Sequence, residues 1–428
     1  MAADSDEESP EPKITAERAA AEVRAWVTAN VPPSWREAAE RGGPAEVRTV
    51  RTPEEYRAWY PVFGASGLVA PTWPTEYGGR GWSVPAARAA EHALRTYHLP
   101  RLNPLGLSLT AAALFAHGTL EQRRRFLPPI TRAEEIWCQL FSEPGSGSDL
   151  ASLSTRAERD GANWIINGQK VWTTWADRAD YAVLLARTDP DAPKHQGLTY
   201  FLIDMHQPGI RVRPLRHMGG AVEFFQVFID DAVVPDAQRV GDCGAGWKVA
   251  QATLGGERQM VSGAGSGGVD RIGGGSAERL VGLARKRSAD GLPGGWDEPE
   301  VRREVVRLWG EEQIRRWTNE RIRDSAAVGR PIGPASSINK VHGSELNQRI
   351  QEMAVKLLGP DALAWEGDLD DYASGMPDEI RGLLRSRANT IEGGTSEINR
   401  NLIAERVLGM PKEPDPWRGR PWRELPRG

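Results

Sequence analysis

The stretch from Trp137 to Arg187 sets a Gly/Ser-rich loop beside a run of β-forming residues, with helical texture on both sides of it. It reads W-C-Q-L-F-S-E-P-G-S-G-S-D-L-A and, after a short gap, N-W-I-I-N-G-Q-K-V-W-T-T-W-A-D-R-A-D-Y-A-V-L-L-A-R. Asn167-Gly168 between two β-prone runs predicts a hairpin turn. Strand-like runs recur at 181–186, 198–203, 210–214 and 224–229. Short strands at this spacing read as a small β-barrel or sandwich.

Helical patterns flank that β segment. They occupy 14–41, broken at Pro32-Pro33, then 86–97, 105–117 and 121–127 before Pro128-Pro129, with a turn-rich stretch at 71–82. Past Gly246 they resume to about Leu408, interrupted at 263–275 and 291–296. The fold class is therefore mainly α with a central β-domain. The expected organisation is an acidic disordered tail (1–12), an N-terminal helical domain (13–136), a β-domain (137–245), a C-terminal helical domain (246–410) and an extended, partly docked tail (411–428).

Composition removes several function classes. A net charge of -4 argues against a nucleic-acid surface, which carries a basic excess. No apolar run approaches the ~20 residues of a membrane span. Met1–Pro12 is acidic and polar, unlike a secretory or transit peptide. Cys138 and Cys243 are too few for a disulfide framework and lack metal-ligand spacing, so a reducing cytoplasm is the expected compartment. His117, His195, His206, His217 and His342 show no metal spacing either. Most of the sixteen tryptophans read as packing residues.

The glycines of Phe141–Asp149 let backbone approach a ligand closely, and Ser142, Ser146 and Ser148 offer hydroxyls. No Gly-Lys-Ser/Thr follows, so the loop is no P-loop, and no local His/Asp pair makes it a hydrolase site. Trp172 could cover the face of a flat ring, and Thr174 could donate to it.

These segments, with the turn at Trp73–Gly79, closely match the signatures of the acyl-CoA dehydrogenases. G-L-T-Y-F-L-I-D-M from Gly197, R-P-L-R-H-M-G from Arg213, V-F-I-D-D-A-V-V-P, and E-G-G-T-S-E-I-N-R-N from Glu392 resemble the same family. The resemblance spans roughly residues 15–410. It implies an N-terminal helical domain, a β-barrel or sandwich and a C-terminal helical bundle. It also implies FAD and the α,β-dehydrogenation of an acyl-CoA or acyl-carrier thioester. Cofactor contacts would come from Phe141, Ser142, Gly147, Ser148, Trp172, Thr173, Thr174, Thr395 and Glu397.

A carboxylate must take the α-proton, and the thioester oxygen needs donors where enolate charge develops. Many relatives place that glutamate directly before a single Gly-Thr. Here Gly393 holds the position, and Glu392 is displaced by one residue. Other members carry the base on a helix before an arginine, as in L-G-G-E-R-Q, where Arg258 follows Glu257. Glu257 is the expected base and Glu392 the fallback. Gly393, Arg258 and Ser148 are the expected substrate contacts.

The cofactor's second half departs from the family pattern. Arg287 keeps an arginine position, but Asp290 replaces an aromatic residue, Lys356 a glutamine and Pro360 a glycine. Proline removes a backbone donor. Such losses resemble one subunit of the bacterial heteromeric dehydrogenases of steroid side chains. A homo-oligomer with Arg287 and Lys356 gripping the pyrophosphate is the alternative. An electron-transfer flavoprotein is the expected acceptor. An acyl-CoA oxidase and a non-catalytic partner subunit are the competing functions.

Overall fold

The computed structural model describes residues 14–262, 276–327, 330, 335–363 and 375–426; the side chains of 257–262, 323, 326, 327 and 335 lie outside that description. The acidic tail and the glycine-rich stretch 263–275 also fall outside it. The chain divides into two compact units, residues 1–104 with 123–134, and 105–122 with 135–428. Among the described residues no helix is long and apolar enough to cross a membrane.

The first unit holds helices α1 (Ala16–Asn30), α2 (Pro33–Val50), α3 (Pro53–Ala65) and α4 (Val84–Arg95). Pro33 sits at the start of α2, where its missing N–H costs no helical bond. Helix α3 begins on a reciprocal cap, Thr52 Oγ1 accepting from Glu55 N and Glu55 returning to Thr52 N. Trp26, Trp35, Tyr56, Trp59, Tyr60 and Phe63 pack ring on ring in its core. Those two tryptophans of the early helices and Trp59 are packing residues, as the sequence suggests. In the turn after α3, Gly79 is required: a Cβ there would lie 2.1 Å from the Trp73 carbonyl oxygen.

A π-helical turn (Gly106–Thr110) leads into α5 (Ala111–His117), and α6 (Leu120–Arg132) follows. The sequence ends that last helix before Pro128-Pro129; the structure carries it through both. Each proline removes its own N–H and crowds the carbonyl four residues back, a cost that packing of this segment offsets. Leu127 and Ile130, both fully buried, hold the next turn in place.

Eight strands then form one sheet: β1 (Trp137–Leu140), β2 (Arg156–Asp160), β3 (Asn163–Thr174), β4 (Tyr181–Arg187), β5 (Leu198–Asp204), β6 (Ile210–Arg216), β7 (Val222–Pro235) and β8 (Arg239–Val240). Their order is β6-β7-β3-β2-β4-β5-β8, with β1 parallel to β4. Asn167-Gly168 is not a hairpin turn. β3 runs straight through it as a bulge, and the chain reverses instead at Gly161, whose φ is +56°. The reason is local. A Cβ on Gly168 would meet Thr155 Oγ1 at 2.3 Å, so glycine serves a close backbone approach. The Asn167 side chain is engaged in both directions by Asp231, at 2.9 and 3.0 Å.

The remaining helices are α7 (Gly246–Ser262), α8 (Ala277–Ala289), α9 (Pro299–Ala327), α10 (Ala335–Leu358), α11 (Asp378–Ser386) and α12 (Ser396–Leu402). Leu280, Ala284, Val305, Leu308, Ile350 and Leu357 form the core shared by α8, α9 and α10. The tail docks: Trp422 N donates to Ala192 O at 3.0 Å.

Candidate active site

The Gly/Ser loop is fixed from beneath by a buried ion pair. Lys170 on β3 is fully buried and donates to Glu143 Oε1, Phe141 O and Leu185 O, each at 2.9 Å. Glu143 also accepts from Ser154 N (2.6 Å) and Thr155 N (2.8 Å). Burial works against the Glu143 carboxylate, but the adjacent Lys170 ammonium and these donors outweigh it and hold its pKa below the ordinary value. The pair therefore sets the path of the loop on which Phe141, Ser142, Gly147 and Ser148 sit. Phe141 is buried, Ser142 is half-buried, and Gly147 and Ser148 are exposed.

At the end of β3 the pairing with β7 slips between Lys170 and Thr173. Trp172 occupies that bulge at φ +61°, a conformation a bulky residue adopts only under constraint. It leaves the indole 56% exposed, its edge set on Phe224 with ring centres 5.7 Å apart. Thr173 is buried, and its hydroxyl has no partner among the described residues. Thr174 is half-buried at the strand's last position, paired with Phe224.

Phe224 links that indole to the C-terminal loop. The Arg385 guanidinium lies over its ring at 5.6 Å and donates to Glu223 at 2.9 Å. Arg385 also holds both oxygens of Glu392, at 3.2 and 2.9 Å. Asn389 Nδ2 donates to Glu392 Oε1 at 2.8 Å. Helix α10 fixes Asn389 in turn: Lys340 Nζ and Ser344 Oγ both donate to its carbonyl, at 2.7 and 2.8 Å. Gly393 and Gly394 follow at φ +65° and +86°, positions that favour glycine. His217 stands beside the same ring, 6.2 Å from Phe224, with Nδ1 accepting from Gly219 N at 3.0 Å.

Helix α7 carries Glu257 and Arg258, whose side chains lie outside the described residues. Its backbone is pinned close by. Thr253 and Tyr200 share a buried hydrogen bond of 2.8 Å, and a Cβ on Gly256 would fall 2.2 Å from the Ser108 carbonyl oxygen. The helix is thus pressed onto the π-helical turn one residue before Glu257. Interruptions of that kind recur at functional sites.

Of the other expected residues, Thr395 and Arg287 have partners within the chain, and Glu397 and Lys356 are exposed. Thr395 Oγ1 caps α12 by accepting from Ile398 N at 3.1 Å. Glu397 is exposed and 3.6 Å from Arg400. Arg287 donates to Pro293 O and to the carbonyls of Leu357 and Leu358 at 3.2 and 3.3 Å, completing the end of α10. Lys356 is exposed. A flat ring fits the first group, where an indole is held out and a buried hydroxyl lacks a partner. An anionic cofactor tail fits the second poorly, since the arginine there is already engaged.

Sequence reasoning missed Glu143, Lys170, Phe224 and Arg385. The first two carry no local signal: Glu143 lies in the Gly/Ser loop after β1, and Lys170 follows Asn167, Gly168 and Gln169 in a strand of mixed polarity. The last two gain their roles only through tertiary contact.

Three family models match this chain: the N-terminal domain of acyl-CoA dehydrogenase over residues 15–134, its middle domain over 138–231 and its C-terminal domain over 244–408. The acyl-CoA dehydrogenase IpdE1 of Mycobacterium tuberculosis is 38% identical over 402 residues, 92% of this chain and 97% of its own length. Among solved structures, the ChsE4-ChsE5 complex from Mycobacterium tuberculosis aligns with a TM-score of 0.69 at 27% identity, over 96% of this chain and 100% of that one. The Tcur3481-Tcur3483 steroid ACAD aligns with a TM-score of 0.70 at 28% identity, over 92% and 97%.

Proposed function

The chain belongs to the acyl-CoA dehydrogenase family, and from that premise we propose that Glu257 on α7 removes the α-proton of an acyl thioester. The observation that carries the assignment is the state of the competing carboxylate. Both oxygens of Glu392 are ion-paired to Arg385, and one also accepts from Asn389. Three of its acceptor sites are taken, two by Arg385 and one by Asn389, which α10 anchors, and glycine stands at the next position. Gly256, by pressing α7 onto the π-helical turn, fixes the helix where the base is carried.

The Gly393 N–H donates to the thioester carbonyl in this reading, where enolate charge develops as the proton leaves. Arg258 and Ser148 contact the substrate. Trp172, Thr173, Thr174, Phe141, Ser142 and the loop through Ser148 hold the isoalloxazine ring of FAD, with Thr395 and Glu397 at its margin. FAD, when bound, supplies the acceptor for the β-hydride. Removing the α-proton in a site closed to water keeps the carboxylate effective as a base.

The likeness to proteins named as steroid dehydrogenases and as a two-subunit complex supports a ring-bearing acyl-CoA substrate and a paralogous partner subunit. Arg287 supports the same assembly, because its guanidinium completes α10 and a second subunit would have to finish the cofactor's adenosine half. That observation also favours a second reading, a partner subunit without catalysis of its own. An electron-transfer flavoprotein is the proposed acceptor, in place of the oxygen an oxidase would use.

The test is anaerobic mixing of the FAD-loaded protein, alone and with a paralogous subunit, with straight, branched and ring-bearing acyl-CoA thioesters. Bleaching of the flavin bands by the ring-bearing thioesters is the expected result. No bleaching by any thioester, with or without the partner, would favour the non-catalytic reading.

A further inference from the structure

The family match ends at residue 408, yet the chain beyond it returns to the sheet and attaches at several points. Pro421 bridges Pro193, Trp422 N donates to Ala192 O (3.0 Å), and Arg423 N donates to Pro190 O (3.1 Å). Arg423 pairs with Asp191 at 2.7 Å. The Trp422 indole N–H reaches Ser152 O at 3.3 Å, and its ring covers the Arg187 guanidinium at 4.2 Å.

Arg187 is what makes that cover matter. It is 3% exposed, and its donors go to three carbonyl oxygens: Ala151 (2.6 Å), Leu153 (3.2 Å) and Lys194 (3.2 Å). It ties the exit of the Gly/Ser loop to the β4–β5 connection. Lys194 Nζ adds a second tie to Asp149, at 2.9 and 3.0 Å. Burial lowers the guanidinium's pKa to about 10. An aromatic face over a desolvated cation is attractive and keeps water off its hydrogen bonds.

We propose that Trp422 is a positioning residue: by capping Arg187 it holds Asp149–Leu153, and hence the adjoining Gly147 and Ser148, in the shape that receives the cofactor. The proposal rests on the reading that this loop contacts FAD. Without the indole, water competes for the Arg187 donors and the loop opens locally.

Hydrogen exchange and FAD titration of the full chain test it, comparing wild type, Trp422→Ala and Trp422→Phe. Trp422→Ala should speed exchange of the Ser152 and Leu153 amides about tenfold, leave Leu184 and Phe201 in the sheet unchanged, and raise the FAD Kd about tenfold. Trp422→Phe, which keeps a ring over the cation, should retain most of the wild-type loop protection and FAD affinity. Unchanged loop exchange overturns the proposal, as does faster exchange with an unchanged FAD Kd, or a phenylalanine variant as defective as alanine. Wild-type protein that binds no FAD, alone or with its partner subunit, sinks the flavin reading and this proposal together.

Discussion

Arg385 and Glu392 form a two-point ion pair, Nη1 to Oε1 at 3.2 Å and Nη2 to Oε2 at 2.9 Å. The same guanidinium lies over Phe224, the ring that supports Trp172. One arginine thus joins the exposed indole to the loop of Gly393. The side chains are about a third exposed, so solvent screens the pair. A double-mutant cycle of Arg385→Ala and Glu392→Ala, followed by urea unfolding, should give a coupling of about 1 kcal/mol. Strict additivity would mean that the pair does not hold the loop.

Gly255 and Gly256 are neighbours on α7 with opposite surroundings. Among the described residues a Cβ on Gly255 meets nothing within 4 Å, whereas one on Gly256 meets the Ser108 carbonyl at 2.2 Å. Gly255→Ala should therefore stabilise the protein by about 0.5–1 kcal/mol through helix propensity, with turnover unchanged. Gly256→Ala should cost about 1–3 kcal/mol and lower turnover by more than tenfold, because α7 must shift with its carboxylate. Thermal melts and steady-state kinetics separate the two. Equal behaviour of both variants would remove the argument for a pinned helix.

The buried Glu143–Lys170 pair predicts an acid dependence. The folded pKa of Glu143 is depressed, so its contribution to stability is present above the unfolded value of about 4.3 and is lost as pH falls through the folded one. Glu143→Ala leaves an uncompensated buried ammonium and should cost about 3–5 kcal/mol at neutral pH. Denaturant melts across pH should show the gap between wild type and variant shrinking below about pH 4. A gap independent of pH would contradict the assignment of the pair.

Much of the fold was legible because local chemistry and tertiary structure agree. The β runs at 181–186 and 198–203 are almost wholly apolar, and both become central, fully covered strands. Helix α3 was overlooked although T-P-E-E announces its cap at Thr52. Asn167-Gly168 misled because a turn dipeptide and a bulge glycine look alike in sequence; only Thr155 across the sheet distinguishes them. In the site, the exposed ring of Trp172 and the glycine at 393 could be read from the chain. The occupancy of Glu392 could not, since it depends on Arg385, Asn389 and Lys340 meeting in space.

The central claim is the division of labour between two carboxylates. Anaerobic flavin reduction by a ring-bearing acyl-CoA, measured by stopped flow on Glu257→Gln and Glu392→Gln, tests it most directly. Glu257→Gln should retain FAD and lose at least about a thousandfold in the reduction rate, as removal of a general base does. Glu392→Gln should slow it by no more than about tenfold, through a loosened loop. Equal and large losses in both, or the larger loss in Glu392→Gln, would contradict the account.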